Sequence, residues 1–275
     1  MSGKLYVVGT PIGNLGDFSP RGVQTLRDAD FIAAEDTRVT VKLLNHFGIK
    51  KEMLAYYEHN KNSKGNLIID RMLQGQSCAL VSDAGMPAIS DPGEDLVRLA
   101  REKGIEVESV PGPSALITAL SISGMPSGRF CFEGFLSMNR ISRMEHLESL
   151  KNEKRTMIFY EAPHKLMATL NDFLKYFGDR EIAFCREITK LHETVFKTTL
   201  SKAIEHYTEN PPKGEFVLII RGKAEETVEY TIEDALEIAK RLISEGQSTS
   251  AAAKEAANVT GIKKGEIYKL ILEGK

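Results

Sequence analysis

Short runs of apolar and β-branched residues alternate with longer amphipathic stretches along most of the chain. The runs with strand character span residues 5–8, 31–34, 79–81, 107–110, 157–160, 182–185 and 215–220. Helical spacing of apolar positions is found in PRGVQTLRDA, TRVTVKLLNHFG, GEDLVRLAREKG and EAPHKLMATLNDFLKYFG. Strands that alternate with helices are typical of a largely parallel sheet, so the predicted fold class is α/β.

Two changes of pattern predict the domain organisation. GMPSG at 124–128 carries two glycines and a proline after a helical stretch, and the strands are more closely spaced beyond it. We expect one α/β domain over 1–124 and a second over 125–222 with more antiparallel pairing. From Arg221 onward RGKAEETVEYT has the composition of a linker, and a C-terminal helical domain is expected over 223–275.

The C-terminal segment contains only helical patterns. ALEIAKRLISEG and STSAAAKEAANVTGIKKGEIYKLILEG predict two or three short helices, with Ser248 or Thr249 as an N-cap and a turn at Gly261. From Ser248 to Lys275 there are five lysines and three glutamates, a net charge of +2. These are the proportions of a helix-turn-helix, so the segment either helps to bind nucleic acid or is only a packing domain.

Composition and charge narrow the function classes. The 275 residues are 42% hydrophobic and 27% charged with a net charge of -2, which is ordinary for a soluble protein. Nucleic-acid binding would therefore need a local basic patch. Cys78, Cys131 and Cys185 lie in apolar runs and are expected to be buried thiols. Their odd number and the absence of a signal peptide predict a cytoplasmic protein, and the apolar runs are too short to span a membrane.

The loop after the first predicted strand, GTPIGNLGDFSP at 9–20, suggests that backbone approaches a ligand. It departs from the GxGxxG dinucleotide motif because Pro11 stands where the middle glycine would be, and it has no lysine for a phosphate-binding loop. Glu35 and Asp36 follow at the distance typical of nicotinamide-binding proteins, which leaves an oxidoreductase open. A purely structural turn is a further alternative.

Two more loops of the same kind follow later strands. They read SDAGMPAISDPG at 82–93 and VPGPSA at 110–115. Because the carboxyl ends of parallel strands meet at one edge of a sheet, the three loops are expected to lie together. Without a suitable lysine or arginine, they favour a neutral or cationic small molecule held largely by main-chain groups over a phosphate.

Six motifs in order, GTPIGN, EDTR, SDAGMPAISDPG, VPGPSA, FYEAPHK and GEFVLII, resemble the tetrapyrrole-methylase superfamily of S-adenosylmethionine-dependent methyltransferases. EDTR and FYEAPHK resemble the branch that methylates a cytidine 2'-hydroxyl in 16S rRNA. The resemblance covers residues 4–222, and the helical tail is similar to the C-terminal domain of that branch. It implies a two-domain class III methyltransferase fold, a homodimer, and S-adenosyl-L-methionine in a cleft without a metal. A small-molecule methyltransferase of the same fold remains an alternative.

The resemblance also implies a set of donor-binding residues. They are Pro11, Ile12, Gly13, Asp83, Ala84, Met86, Ser114, Ala115, Tyr160, Glu161, Ala162, Cys185 and Phe216.

Methylation of a ribose hydroxyl needs a group that accepts its proton, because the hydroxyl is a poor acid. Glu35 and Asp36 end the second predicted strand, where alternate side chains point to opposite faces, so one of them is the candidate acceptor. Arg38 is expected to bind an rRNA phosphate, and an N-cap role for Asp36 is the alternative. Further candidates for RNA contact, or for a merely solvated charged segment, are His164, Lys165, Arg186 and Lys190. No pair of histidines has metal-ligand spacing, so no metal site is predicted.

Overall fold

The structure is a computed structural model that describes residues 3–224 and 230–274. The chain folds into two compact units, one ending at Lys223 and one beginning at Ala224. The predicted linker falls partly on residues 225–229, which lie outside the described residues.

The first unit contains two sheets of five strands each. The strands are β1 (Lys4–Val8), β2 (Phe31–Ala34), β3 (Glu52–Ala55), β4 (Cys78–Val81), β5 (Glu106–Val110), β6 (Phe130–Phe135), β7 (Thr156–Glu161), β8 (Glu181–Arg186), β9 (Thr194–Thr199) and β10 (Phe216–Ile220). The helices of this unit are α1 (Pro20–Asp28), α2 (Thr37–His46), α3 (Lys61–Leu73), α4 (Gly93–Glu102), α5 (Ala115–Ile122), α6 (Arg140–Ser149), α7 (Leu166–Phe177) and α8 (Leu200–Glu209).

The first sheet is entirely parallel, in the order β3-β2-β4-β1-β5. β2 and β4 are buried at every position, because helices cover both faces of the sheet. One apolar cluster includes Phe31 and Leu80, and another includes Ile32 and Val81 from the same two strands. Side chains that alternate along a strand therefore supply two separate cores.

The second sheet is mixed, in the order β6-β7-β10-β8-β9. β6 pairs with β7 in parallel, and every other neighbouring pair is antiparallel. The expected increase in antiparallel pairing is thus confirmed, as is the α/β class with a helical C-terminal region.

Helix α5 joins the two sheets. It precedes position 124 in the chain, yet Leu116, Ala119 and Leu120 are buried against β7, β8 and β10 of the second sheet. Residues from both sides of the predicted boundary therefore share one apolar core. The division of this unit at residue 124 stays a prediction.

Some element predictions differ from the structure. The predicted strands did not include β3 (EMLA), β6 (FCFEGF) or β9 (TVFKTT), because all three are edge strands with polar positions and only partial burial. The helix predicted from Glu161 begins at Leu166, since Glu161 still belongs to β7 and Pro163–Lys165 form a turn of 3-10 helix. Cys78 and Cys185 are buried as expected, but Cys131 is only partly buried and that expectation is wrong for it.

The second unit contains α9 (Ile232–Ser244), α10 (Thr249–Thr260) and α11 (Lys264–Leu272). Ser248 caps α10 by accepting the N–H of Ala251, and Gly261 ends the helix in the left-handed conformation at φ 74°. Alanines of α9 and α10 pack around Ile267 of α11, so the three helices form their own small core. Among the described residues, no helix combines the length and apolar character needed to cross a membrane.

Candidate active site

Three loops meet at the carboxyl edge of the first sheet. Thr10 lies two residues after the end of β1. It exchanges two backbone hydrogen bonds with Gly85 in the loop after β4, at N–O distances of 2.9 and 3.1 Å. The Thr10 hydroxyl also donates to the carbonyl oxygens of Ser82 and Gly85. These bonds fix the first loop against the second, as expected for neighbouring strands of a parallel sheet.

The third loop is held against the first by two glycines. A Cβ at Gly112 would lie 2.6 Å from the carbonyl oxygen of Gly9, and a Cβ at Gly9 would lie 2.7 Å from the Gly112 α-carbon. Only glycine permits backbones to approach this closely. The two positions therefore set the spacing between the loops after β1 and β5.

We expect Gly112→Ala to lower the free energy of unfolding by about 1–3 kcal/mol, because the added methyl group must push two backbones apart. Gly128→Ala is the matched control, since a Cβ there has no atom within 4 Å among the described residues. Urea unfolding of both variants measures the difference. Equal stability of the two would contradict the close approach.

A cavity of about 550 Å³ opens where the loops face the second sheet. It has the size of a small-molecule site. Of the residues predicted to bind a donor, its walls contain Ile12, Asp83, Ala84, Met86, Ser114, Ala115, Tyr160, Glu161, Ala162, Cys185 and Phe216. Pro11 and Gly13 line a smaller neighbouring cavity instead. The structure thus brings most of the predicted set together and separates these two residues from it.

The loop after β4 has an unusual backbone on the cavity wall. Ala88 and Ser90 adopt left-handed conformations, at φ 65° and 68°. Asp91 stabilises them: its Oδ1 accepts the N–H groups of Ala88 and Gly93 at 3.0 and 2.8 Å, and its Oδ2 accepts that of Ile89 at 3.2 Å. Left-handed non-glycine residues cost about 1–3 kcal/mol each, so one carboxylate holds a strained loop in place.

Residues of the second sheet complete the cavity and fix α5. The Tyr160 hydroxyl accepts the backbone N–H of Leu116 at 3.1 Å, and Cys185 Sγ donates to the carbonyl of Ala119 at 3.5 Å. Burial raises the pKa of Tyr160, and it raises that of Cys185 to about 11. Both groups are therefore neutral near pH 7 and serve the wall through hydrogen bonding and packing.

Glu161 is buried at the end of β7. Its carboxylate accepts the Ala162 N–H at 2.9 Å and the Thr169 hydroxyl, to which the Arg143 guanidinium also donates. A buried carboxylate needs such partners. These contacts fix the turn that carries Ala162 into the cavity wall.

The two candidate proton acceptors have different surroundings. Glu35 follows β2, lines the cavity, and accepts the Asp83 N–H at 3.4 Å. Burial, followed by the nearby charge of Asp83, raises the pKa of Glu35. Asp36 is the N-cap of α2, the alternative that the sequence left open, and a side-chain hydrogen bond from Arg38 lowers its pKa to about 2. Neither residue belongs to β2, so strand alternation does not set their directions.

The candidate RNA-contacting residues are spread over the surface. Arg38 is 88% exposed and pairs with Asp36 at 2.6 Å. Lys190 lines the cavity and pairs with Glu187 and Glu215. Arg186 donates hydrogen bonds to the Thr194 hydroxyl and to the carbonyl oxygens of His192 and Lys213. His164 and Lys165 lie in the 3-10 turn and line neither cavity.

The cavity fits a molecule that carries a sulfonium cation. Its walls combine apolar side chains with the carboxyl groups of Glu35, Asp83, Asp91, Glu161 and Glu215. Apolar walls suit a flat base, and nearby carboxylates favour a cation. Ile12, Asp83, Met86 and Ala115 would hold S-adenosylmethionine from the first sheet. In the part of the chain that the structure describes, no cluster of three His, Cys, Asp or Glu side chains could hold a metal.

The family model described as Tetrapyrrole (Corrin/Porphyrin) Methylases matches residues 4–204. The chain belongs to the tetrapyrrole methylase family. It is therefore a methyltransferase, and S-adenosyl-L-methionine is its methyl donor. The nicotinamide-dependent alternative is not supported.

Relatives within the tetrapyrrole methylase family share much of the sequence. The protein named Ribosomal RNA small subunit methyltransferase I in Synechocystis sp. is 46% identical, with 98% of each chain covered. The Thermotoga maritima protein of the same name is 48% identical over 80% of this chain and 99% of its own.

Two solved structures share the fold at low sequence identity. Diphthine synthase has a TM-score of 0.61 at 15% identity, covering 80% of this chain and 90% of that one. Uroporphyrin-III-C-methyltransferase from Thermus thermophilus has a TM-score of 0.57 at 18% identity, covering 80% and 94%. The fold is thus the methyltransferase fold of this family.

Sequence reasoning missed several residues of the cavity. They are Ser82, Gly85, Ile89, Ser90, Asp91, Phe135, Pro163, Ile188, Glu215 and Val217. Asp91 could have been found, because an aspartate before Pro-Gly at the start of a helix is a frequent loop-fixing residue. Phe135 and Ile188 carry no such signal, since only tertiary packing brings them to the cavity.

Proposed function

We propose that the protein transfers a methyl group from S-adenosylmethionine to the ribose 2'-hydroxyl of a cytidine in the 16S rRNA of the small ribosomal subunit. The proposal rests on the cavity of about 550 Å³, called the donor cavity from here on, which has the half-buried Glu35 in its wall. The exposed Arg38 follows Glu35 three positions later in the chain. Relatives named Ribosomal RNA small subunit methyltransferase I support this substrate. Mapping 2'-O-methylation in 16S rRNA from cells that lack the protein tests it. An unchanged map would refute it.

The chain contributes mainly orientation and a proton acceptor. When bound, S-adenosylmethionine supplies an electrophilic methyl group. The three loops and Tyr160 hold the donor in one position, and alignment of two reactants is worth up to about 7–11 kcal/mol of the barrier. Glu35 accepts the proton of the attacking hydroxyl, because its raised pKa makes it a better base than Asp36.

Arg38, Lys190, Arg186, His164 and Lys165 are proposed to contact rRNA phosphates. Lys190 would have to leave both of its partners, Glu187 and the exposed Glu215, to do so. Because the net charge is -2, rRNA binding must depend on a local basic patch. The assembled 30S particle offers shape as well as phosphates. We also propose that the protein acts in the cytoplasm as a homodimer.

The C-terminal helices are proposed to strengthen rRNA binding without taking part in the reaction. Residues 224–275 form a compact unit of their own. A chain ending at Lys223 is therefore expected to keep donor binding and kcat, while its KM for 30S subunits rises about 10-fold. Steady-state kinetics and 30S binding measure the change. If KM and 30S binding both stay the same, the helices do not contribute to binding.

A further inference from the structure

A second cavity adjoins the donor cavity. It has a volume of about 250 Å³ and lies between the loop after β1 and helix α2. Ser82 and Asp83 line both cavities, so the two are separated by one short stretch of the loop after β4. A group seated in the smaller cavity would therefore lie next to the donor.

The wall of the smaller cavity has both apolar and polar parts. Leu15 and Val39 line it and are unusually exposed for aliphatic residues, at 41% and 39%. Thr40 lines it as well and is only 3% exposed, yet its hydroxyl has no hydrogen-bond partner among residues 3–224 and 230–274. The hydroxyl oxygen itself is accessible at the wall, so it is available to a ligand or to water.

A positively charged side chain lies beside these groups. Lys42 lines the cavity, is exposed, and makes no ion pair within the described ranges. Arg38, one turn earlier on α2, pairs with Asp36 and does not line this cavity. Lys42 is thus a cation of this cavity that is available for an anionic partner.

We propose that this second cavity receives the single nucleotide that is methylated. The inference rests on the proposed function and names the acceptor site that this function requires. Leu15 and Val39 contact the base, the Thr40 hydroxyl bonds a polar group of the base or sugar, and Lys42 binds the adjacent phosphate. Ribose then lies against Asp83, at the wall shared with the donor. Because the cavity has less than half the volume of the donor cavity, it admits one unstacked nucleotide and excludes a duplex.

Lys42→Met and Thr40→Val test the assignment, since they remove a charge and a hydroxyl while keeping similar shapes. Each is expected to raise KM for 30S subunits about 10-fold, with the affinity for S-adenosylhomocysteine unchanged by calorimetry. For Lys42→Met, the slope of log affinity against log salt concentration should also become shallower by about 1. Lys103→Met is the control, because Lys103 is the C-cap of α4 and lines neither cavity.

Val39→Trp provides a second test that does not depend on polar contacts. The indole is expected to fill the cavity and lower kcat/KM for 30S subunits by at least about 50-fold, while donor affinity and melting temperature stay near those of the wild type. Wild-type kinetics and salt slope in all three variants would overturn the acceptor site and leave the proposed function intact. Failure of the wild-type protein to methylate rRNA, with normal donor binding, would overturn both.

Discussion

Glu35→Gln is expected to lower kcat for rRNA methylation by about 10²- to 10⁴-fold and to leave the affinity for S-adenosylhomocysteine nearly unchanged. The amide has the same shape as the carboxyl group but cannot accept the proton of the ribose hydroxyl. Glu35 lines the donor cavity and hydrogen-bonds with the Asp83 N–H, which a glutamine oxygen can also accept. Single-turnover methylation and calorimetry separate the chemical step from donor binding.

The pH dependence gives a second readout for the same residue. Burial and the charge of Asp83 raise the pKa of Glu35 above that of a free glutamate. Since only the ionised form accepts a proton, activity should fall as the pH drops through this raised pKa. The wild type should thus lose activity at a higher pH than a solvated glutamate would predict, and Glu35→Gln should lack this acidic limb.

Asp36→Asn is the matched control. It keeps a side-chain oxygen that can cap α2 but weakens the pairing with Arg38. A small loss of stability is expected, and the change in kcat should be much smaller than that of Glu35→Gln. If Asp36→Asn abolishes turnover while Glu35→Gln does not, Asp36 is the proton acceptor and our assignment is wrong.

Asp91→Ala is expected to weaken binding of S-adenosylhomocysteine by about 10- to 100-fold, because the loop that lines the cavity loses the group that holds it. The substitution removes the acceptor for three backbone N–H groups, and Ala88 and Ser90 would then leave their left-handed conformations. Calorimetry measures the affinity. Unfolding curves show whether the global fold is preserved.

Two further variants test whether the loss of affinity in Asp91→Ala comes from the backbone contacts of this carboxylate. Asp91→Asn keeps one oxygen for Ala88 and Gly93 and should lose only the bond to Ile89, so its effect should be intermediate. Adding Ala88→Gly to Asp91→Ala should recover part of the affinity, since glycine adopts the left-handed conformation at little cost. Donor affinity at the wild-type level in Asp91→Ala would contradict the role of this carboxylate.

The alternation of apolar runs and amphipathic stretches was sufficient to predict much of the fold. The predicted run at 31–34 is the whole of β2, and the strand-helix alternation indicated the α/β class. Buried strands between helices are readily detected because they are continuously apolar. β3, β6 and β9 were missed because edge strands are partly solvated and carry polar residues.

The three loops that line the donor cavity could be predicted from the sequence, since glycine and proline after apolar strands predict turns at one edge of a sheet. Through the resemblance to a family, the sequence also supplied eleven of the residues that line the donor cavity. Only the tertiary structure distinguished the two adjacent acids, because the N-cap position of Asp36 and the burial of Glu35 depend on how α2 and the loop after β4 pack. It alone placed Phe135 and Ile188 in the cavity and Thr40 and Lys42 in a second one. Local patterns encode hydrogen bonding and burial within one element, whereas a cavity is formed by elements that are distant along the chain.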